Sequence, residues 1–289
     1  MPRTAKTSTP ARPPRAPRSP NLVRPLLKWA GGKSRLVPDI LQRLPSEIET
    51  YYEPFAGSAA VFFALGSEGR FKRAVLSDQN RELIDVYKAI KRDVASVIAA
   101  LKEHPYDREV FYRVRATDPR SLDLAERAAR FIYLNKTGFN GLYRVNRSGA
   151  FNVPFGRYTN PKICDEPRLR RCAEALKGAR LLVSDFEHAC QEAKGGDAVY
   201  FDPPYVPISK TSNFTAYHSV AFEDAEHQRL AETFAALIDR GVRVVLSNSD
   251  TPATRKLYKA FKPTRILVAR PINSKSHMRG DVGEILVSG

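Results

Sequence analysis

Asp202, Pro203, Pro204 and Tyr205 are the residues of this chain best suited to chemistry. They follow the apolar run 199–201, which predicts a short buried strand. The two prolines must end that strand, because neither has an N–H for a neighbouring strand. Ligands bind at the carboxyl edge of an open α/β sheet, so a carboxylate fixed there by two rigid residues is positioned to accept hydrogen bonds. An ordinary turn with an acidic first residue is the competing interpretation.

A glycine turn and a second acid predict a cofactor crevice. Residues 51–66 have the pattern of a short strand, a turn at Gly57 and a helix that opens at Ser58. The next apolar run ends in Asp78, which lies 21 residues after Gly57, and an acid at about 20 residues is the usual partner of ribose hydroxyls. Because the pattern G-x-G-x-x-G is missing, we expect a cofactor with adenosine but no phosphates.

The rest of the chain predicts one α/β sheet interrupted by a mostly helical insert. We assign residues 25–79 and 179–289 to a discontinuous catalytic domain, and residues 80–178 to the insert. Near the end of the insert, residues 136–158 mix Asn and Gly turns with aromatic and basic side chains. This mixture predicts a β-hairpin suited to phosphate contact and base stacking, although a structural hairpin with solvated arginines remains open.

The net charge of +16 indicates a polyanionic partner such as nucleic acid or an anionic membrane. Residues 1–24 contain six basic and no acidic residues, and their Pro-rich and Ser-rich composition predicts a disordered basic arm. The remaining chain still carries a net charge of +10. No apolar run approaches the length of a membrane span and no secretory signal is recognisable, so we expect a cytoplasmic protein.

The cysteines and histidines suggest no metal site. Three cysteines show no C-x-x-C spacing and five histidines show no H-E-x-x-H pattern. Neither a zinc site nor a disulfide framework is therefore expected. We interpret Cys164, Cys172 and Cys190 as structural residues.

Five motifs, taken in their order along the chain, resemble the Dam family of DNA adenine-N6 methyltransferases, which belong to the D12 class. They are "KWAGGK" (28–33), "EPFAG" (53–57), "LSDQN" (76–80), "FNVPFGRY" (151–158) and "YFDPPY" (200–205). The resemblance covers nearly everything after residue 24. It implies a Rossmann-like sheet that binds S-adenosyl-L-methionine, and an insert, 80–178, that recognises the DNA target.

The resemblance also implies roles for individual residues. The cofactor would be bound by the set Trp29, Lys33, Phe55, Ala56, Gly57, Asp78, Asp185, Phe186 and Asp202. Asp78 would hold the ribose, whereas Asp185 and Phe186 would contact the adenine. At the catalytic segment, Asp202 and the Pro203 carbonyl would accept the two hydrogens of the target amine. The target base would be flipped out of the duplex and stack on Tyr205, and residues 206–220 would cover it.

The DNA-reading positions implied by the resemblance are Lys28, Phe139, Asn140, Leu142, Arg144, Pro154 and Tyr158, and they suggest GATC as the site. Two residues depart from the family pattern. Ala59 stands where many relatives have a second glycine, which puts the closeness of the cofactor at that turn in doubt. Phe139 stands where many have tyrosine, so stacking should survive while a hydroxyl bond is lost.

Two other functions fit part of the pattern. An amino methyltransferase acting on RNA or on protein glutamine could also use an acid before P-P-Y, although the basic hairpin argues against it. A nucleic-acid-binding module with a decayed cofactor site would tolerate loss of Asp78 or Asp202, and both are present. No obligate protein partner is evident, and we expect the enzyme to act on double-stranded DNA at the nucleoid.

Overall fold

The computed structural model describes residues 22–29, 31–33, 35–206, 222–269 and 281–289. Nearly all of the predicted arm and of the predicted cover over the target base lie outside these residues. The strands are β1 (Ile48–Glu53), β2 (Phe71–Asp78), β3 (Ala179–Val183), β4 (Ala198–Phe201), β5 (Arg243–Ser249), β6 (Thr264–Ala269) and β7 (Asp281–Ser288). The helices are α1 (Val37–Leu41), α2 (Ala60–Ser67), α3 (Arg81–Arg92), α4 (Val94–Lys102), α5 (Arg108–Ala116), α6 (Leu124–Thr137), α7 (Glu166–Leu176), α8 (Phe186–Ala189), α9 (Asp224–Asp239) and α10 (Pro252–Leu257).

The strands form a single sheet in the order β3-β2-β1-β4-β5-β7-β6. Strands β1 to β5 run parallel, whereas β7 lies antiparallel between β5 and β6. The order reverses beside β1, so the carboxyl ends of β1 and β4 border the crevice where ligands of such sheets bind. This arrangement confirms the predicted Rossmann-like α/β fold. The antiparallel strand β7 and its partner β6 were not part of the prediction.

Two apolar clusters hold the sheet between its flanking helices. One joins β1 and β2 to α1, α2 and the helices of the insert, and the other packs α9 against β4 and β5. The strand residues Val199 and Phe201 face the second cluster, while Tyr200 faces the first. Because successive side chains of a strand point to opposite faces, this uninterrupted apolar run is buried on both sides, as expected for an interior parallel strand.

The insert between β2 and β3 contains helices α3 to α7, so its predicted helical character is confirmed. Asn80, Asp93, Asp107 and Asp123 each accept a backbone hydrogen bond at the start of one of these helices, which explains why the helices begin there. The hairpin is irregular, with two isolated antiparallel bridges, Gly138–Phe155 and Val145–Phe151. The division into catalytic and recognition domains stays a prediction.

Candidate active site

Asp202 lies directly after β4, as the sequence predicted, and one of its oxygens is fully engaged. Lys33 Nζ is 2.7 Å from Asp202 Oδ1, and the Ser247 hydroxyl donates to the same oxygen at 3.0 Å. Ser247 in turn hydrogen bonds to the hydroxyl of Tyr200 at 2.8 Å. The carboxylate is 21% exposed, and no described residue binds its other oxygen, Oδ2. One oxygen is therefore anchored while the other is available.

Burial and Lys33 act in opposite directions on the charge of Asp202. Burial raises the pKa of Asp202 above its ordinary value of 3.8, while the Lys33 ammonium and the Ser247 hydroxyl lower it. Lys33 is almost completely buried, which makes this ion pair much less screened than a surface pair. The prediction placed Lys33 at the cofactor, and the structure places its ammonium on the carboxylate of Asp202.

Tyr205 and Val206 are held from two sides. The Lys33 ammonium lies over the Tyr205 ring, 4.5 Å from its centroid, and the Tyr205 hydroxyl donates to Glu284 Oε2 at 2.8 Å. The next residue, Val206, donates its N–H to Asn248 Oδ1 and accepts from the Ser249 hydroxyl. The segment after β4 is therefore fastened to the carboxyl end of β5.

The glycine turn after β1 packs closely against the aromatic residue Trp29. Gly57 has a positive φ of 46°, and a Cβ there would lie 2.8 Å from the Trp29 ring, so a side chain is excluded. Asp78 accepts from the N–H of Gly57 at 3.1 Å and from the N–H of Asn80 at 2.9 Å. Ala59 has a positive φ of 53°, the left-handed conformation that glycine adopts more readily. The backbone at Ala59 therefore adopts the conformation that favours glycine, although the second glycine of the family pattern is missing.

A narrow pocket opens beside this turn. Among the described residues it is lined by Pro54, Phe55, Asp78, Gln79, Ser184, Phe186, Pro204 and Phe222. Phe186 is almost completely buried, stacks on Phe55 at 5.6 Å and lies under the guanidinium of Arg229 at 4.3 Å. Because these neighbours cover the Phe186 ring, it exposes less surface to the pocket than we expected of a residue that contacts the cofactor adenine.

Asp185 lies at the same edge of the sheet but is already bonded. It caps α8 through the N–H of His188 at 2.9 Å, and Arg229 is 3.1 Å from its other oxygen. A cofactor amine at Asp185 would have to share this carboxylate with Arg229. Ala56, the remaining predicted cofactor residue, is buried and donates its N–H to Ser77.

The predicted DNA-reading residues, except Arg144, meet in one cluster beside Trp29. The Lys28 ammonium lies 4.4 Å from the centroid of Tyr158, and the Phe139 N–H donates to the Pro154 carbonyl at 2.9 Å. The side-chain amide of Asn135 bonds both the backbone of Lys28 and the carbonyl of Gly141. Asn140 and Leu142 flank this glycine, and Trp29 stacks on Tyr143 at 5.8 Å. Trp29 therefore connects the glycine turn to the predicted DNA-reading segment.

Phe139 and Arg144 are both exposed, as are Lys28, Asn140 and Pro154. Half of Phe139 is exposed, and it is the most exposed large apolar side chain among the described residues. Arg144 donates from Nε to Asn152 Oδ1 at 2.7 Å and from one terminal nitrogen to the Asn152 carbonyl at 3.3 Å. The turn beyond it is closed by Asn146, whose side-chain oxygen accepts from Ser148 and Ala150. Asn152 thereby orients the Arg144 guanidinium.

Four residues near the site were not predicted: Glu53, Arg229, Ser247 and Glu284. Glu53 Oε2 accepts from the Tyr51 hydroxyl and from the Phe62 N–H, both at 2.9 Å. Burial raises the pKa of Glu53 to about 8, and the nearby Asp202 charge also raises it. A charged residue inside an apolar strand, as in "GEILV", was the one signal in the sequence that could have identified Glu284.

Comparison with known proteins establishes the class of protein. The model of the D12 class N6 adenine-specific DNA methyltransferases matches residues 29–270, and the chain belongs to this family. It is 40% identical to the type II methyltransferase M.MjaIII of Methanocaldococcus jannaschii, covering 92% of this chain and 98% of that protein. For the type II methyltransferase M1.LlaDCHI of Lactococcus lactis subsp. cremoris the identity is 40%, with 92% and 95% covered. The DNA adenine methylase of Escherichia coli (strain K12) is 39% identical, with 91% and 94% covered.

The predicted enzyme class is therefore confirmed. Family membership decides against the RNA or protein glutamine alternative and against a binding module without activity, since the family acts on adenine in DNA. No helix in the described part of the chain has the length and apolar character needed to cross a bilayer.

Proposed function

We propose that this enzyme transfers the methyl group of S-adenosyl-L-methionine to N6 of an adenine that is flipped out of a GATC site in duplex DNA. The observation that carries the proposal is the arrangement of Asp202 at the end of β4. Its Oδ1 is anchored by Lys33 and Ser247, while no described residue binds Oδ2. An acceptor fixed in this way is aimed at an amine that enters between Tyr205 and the crevice.

The chemistry required of the protein is to make a weak nucleophile reactive. The lone pair of an adenine N6 amine is delocalised into the ring, and accepting both of its hydrogens favours the pyramidal nitrogen of the transition state. Asp202 Oδ2 accepts one hydrogen and the Pro203 carbonyl accepts the other. Because both acceptors are fixed before the base arrives, catalysis rests on positioning and electrostatics, without a covalent enzyme intermediate.

Flipping is required because the paired base is enclosed in the duplex stack. Tyr205 provides a ring for the extruded adenine, and Phe139 is exposed where it can fill the space that the base leaves. Lys33 and Ser247 lower the pKa of Asp202 and so oppose the effect of burial, which raises it. Protonated Asp202 would lose much of its strength as an acceptor, so methyl transfer should fall at acidic pH.

The chemistry of the pocket beside the glycine turn suits S-adenosyl-L-methionine, but the pocket is too narrow to admit the cofactor in this conformation. Its described lining combines one carboxylate, Asp78, with apolar rings and contains no basic side chain. This composition suits an adenosine group without phosphates. The cofactor supplies the electrophilic methyl group when it is bound. Asp78 would bind the ribose, and Phe222, which packs against Phe55 at 5.8 Å, would shift to widen the pocket.

The GATC site rests on the similarity of the DNA-reading segment to the Dam family. Arg144 is exposed on the hairpin, and its guanidinium group is oriented by Asn152. Arginine matches O6 and N7 of guanine in the major groove. Lys28 and Tyr158, which pack together close to Trp29 and the glycine turn, would form a second group of contacts with the DNA.

The proposal is tested by incubating the protein with methyl-labelled S-adenosyl-L-methionine and matched substrates. These are a GATC duplex, a duplex with that site scrambled, the corresponding GAUC duplex in RNA, and a GATC duplex already methylated at both adenines. We expect label at adenine N6 in the first substrate alone. Equal labelling of the scrambled duplex would refute the GATC assignment, and absence of label in every DNA would refute the proposed activity.

A further inference from the structure

Glu284 is a buried acid that reaches the catalytic segment from a distant part of the chain. Its carboxylate accepts from the Tyr205 hydroxyl at 2.8 Å, although 79 residues separate the two. Only 7% of Glu284 is exposed, and the residues that follow it in β7 are apolar and buried. Burying a carboxylate is costly unless it is hydrogen bonded. Its contact with Tyr205 therefore calls for an explanation beyond the packing of β7.

We propose that Glu284 is a positioning residue that fixes the Tyr205 ring for stacking of the target adenine. This inference rests on the proposed function. The ring is constrained at two places, by the Lys33 ammonium over its face and by Glu284 at its hydroxyl. A ring fixed in advance does not have to be ordered when the base arrives, which favours the stacked arrangement from which the amine reacts.

The strand pairing explains how β7 can perform this role. Glu284 is paired with Ser249 of β5, and the Ser249 hydroxyl holds the carbonyl of Val206. Asn248, on the same strand, holds the N–H of Val206. Strands β5 and β7 together thus fasten both the Tyr205 side chain and the backbone that follows it. The insertion of β7 between β5 and β6 brings the carboxylate to this edge of the sheet.

The experiment compares Glu284→Ala, Glu284→Gln, Tyr205→Phe and the double variant Glu284→Ala/Tyr205→Phe. The measurements are the single-turnover methylation rate on a GATC duplex, the KM for S-adenosyl-L-methionine, and the fluorescence of 2-aminopurine in place of the target adenine. Val287→Ala is the matched control. Val287 is buried in the same strand, and alternation along the strand turns it to the face opposite Glu284.

We expect Glu284→Ala and Tyr205→Phe each to slow methylation about tenfold, as loss of a hydrogen bond to a charged group commonly does. The double variant should be no slower than either single one, because both remove the same bond. The KM for the cofactor should not change, and 2-aminopurine emission should rise as stacking on the ring loosens. Glu284→Gln retains an acceptor oxygen and should keep most of the wild-type rate. Val287→Ala should lower the unfolding temperature without altering rate or emission.

Wild-type methylation and emission in a folded Glu284→Ala would overturn the inference, as would additive effects in the double variant. A slow Glu284→Gln would also overturn it, because the acceptor would then not be the relevant property. Failure of the wild-type protein to methylate DNA would instead refute the proposed function, so the two failures are distinguishable.

Discussion

Replacing Glu53 by glutamine should change how the stability of the fold depends on pH. Glu53 is 3% exposed and its pKa is raised to about 8, with burial as the main cause. The folded protein therefore binds this proton more tightly than the unfolded chain does. The contribution of Glu53 to stability is fully present below its ordinary pKa of 4.5, and it is lost as the pH rises from there through about 8.

The size of the effect follows from the width of that range. Each pH unit inside it removes about 1.4 kcal/mol from the free energy of unfolding, so the step from about pH 5 to about pH 7.5 removes roughly 3 kcal/mol. Glutamine has nearly the same shape and does not titrate. The other titrating groups are common to both proteins and cancel to first order. The unfolding free energy of Glu53→Gln minus that of wild type should thus grow by roughly 3 kcal/mol over that pH step.

Urea unfolding of both proteins at the two pH values measures this difference. Glu49→Gln is the matched control, because Glu49 lies on the same strand but pairs with Lys72 at the surface, which lowers the pKa of Glu49. No comparable growth is expected for that variant. If the difference in unfolding free energy between Glu53→Gln and wild type is the same at both pH values, the argument that burial raises the pKa of Glu53 is refuted.

Two further predictions concern the cofactor and the DNA target. Asp78→Ala should weaken binding of S-adenosyl-L-methionine by about 1.5 to 3 kcal/mol. It should also lower the stability of the fold, because the N–H groups of Gly57 and Asn80 lose their acceptor. Unchanged affinity for the cofactor by calorimetry would exclude the ribose role of Asp78. Arg144→Ala should keep turnover on GATC and newly accept sites altered at one guanine-bearing pair, a loss of discrimination of roughly 1 to 3 kcal/mol. Arg147→Ala, in the adjacent exposed turn, is the control that should weaken binding to all DNA sequences alike. A uniform loss of activity on every sequence in Arg144→Ala would mean that Arg144 contacts the DNA backbone.

Local sequence patterns predicted the elements that end at the site. The apolar run before Asp202 became β4, and the run ending in Asp78 became β2, because strand ends are marked by prolines, glycines and acids close in sequence. The helical insert was also predictable, since its helices show their own apolar periodicity and four of the five begin at a side-chain cap. These features depend on neighbouring residues alone.

Contacts made across the sheet were not predictable in this way. Glu284 reaches Tyr205 only because β7 inserts antiparallel beside β5, and no local pattern encodes that pairing. Lys33 was assigned to the cofactor from its motif, while its ion pair with Asp202 depends on how the segment before α1 folds over the end of β4. The covering of Phe186 likewise depends on Arg229, which α9 brings from 43 residues away.

The central claim is that Asp202 activates the target amine, and Asp202→Ala tests it most directly. Single-turnover methylation of a GATC duplex should slow by about 100-fold to 1000-fold, the usual cost of removing an aimed polar group, while calorimetry should show cofactor binding largely intact. Asp250→Ala is the control, because Asp250 also follows a strand of the sheet but pairs with Arg255 and Arg265. A near-normal methylation rate in folded Asp202→Ala would contradict the account.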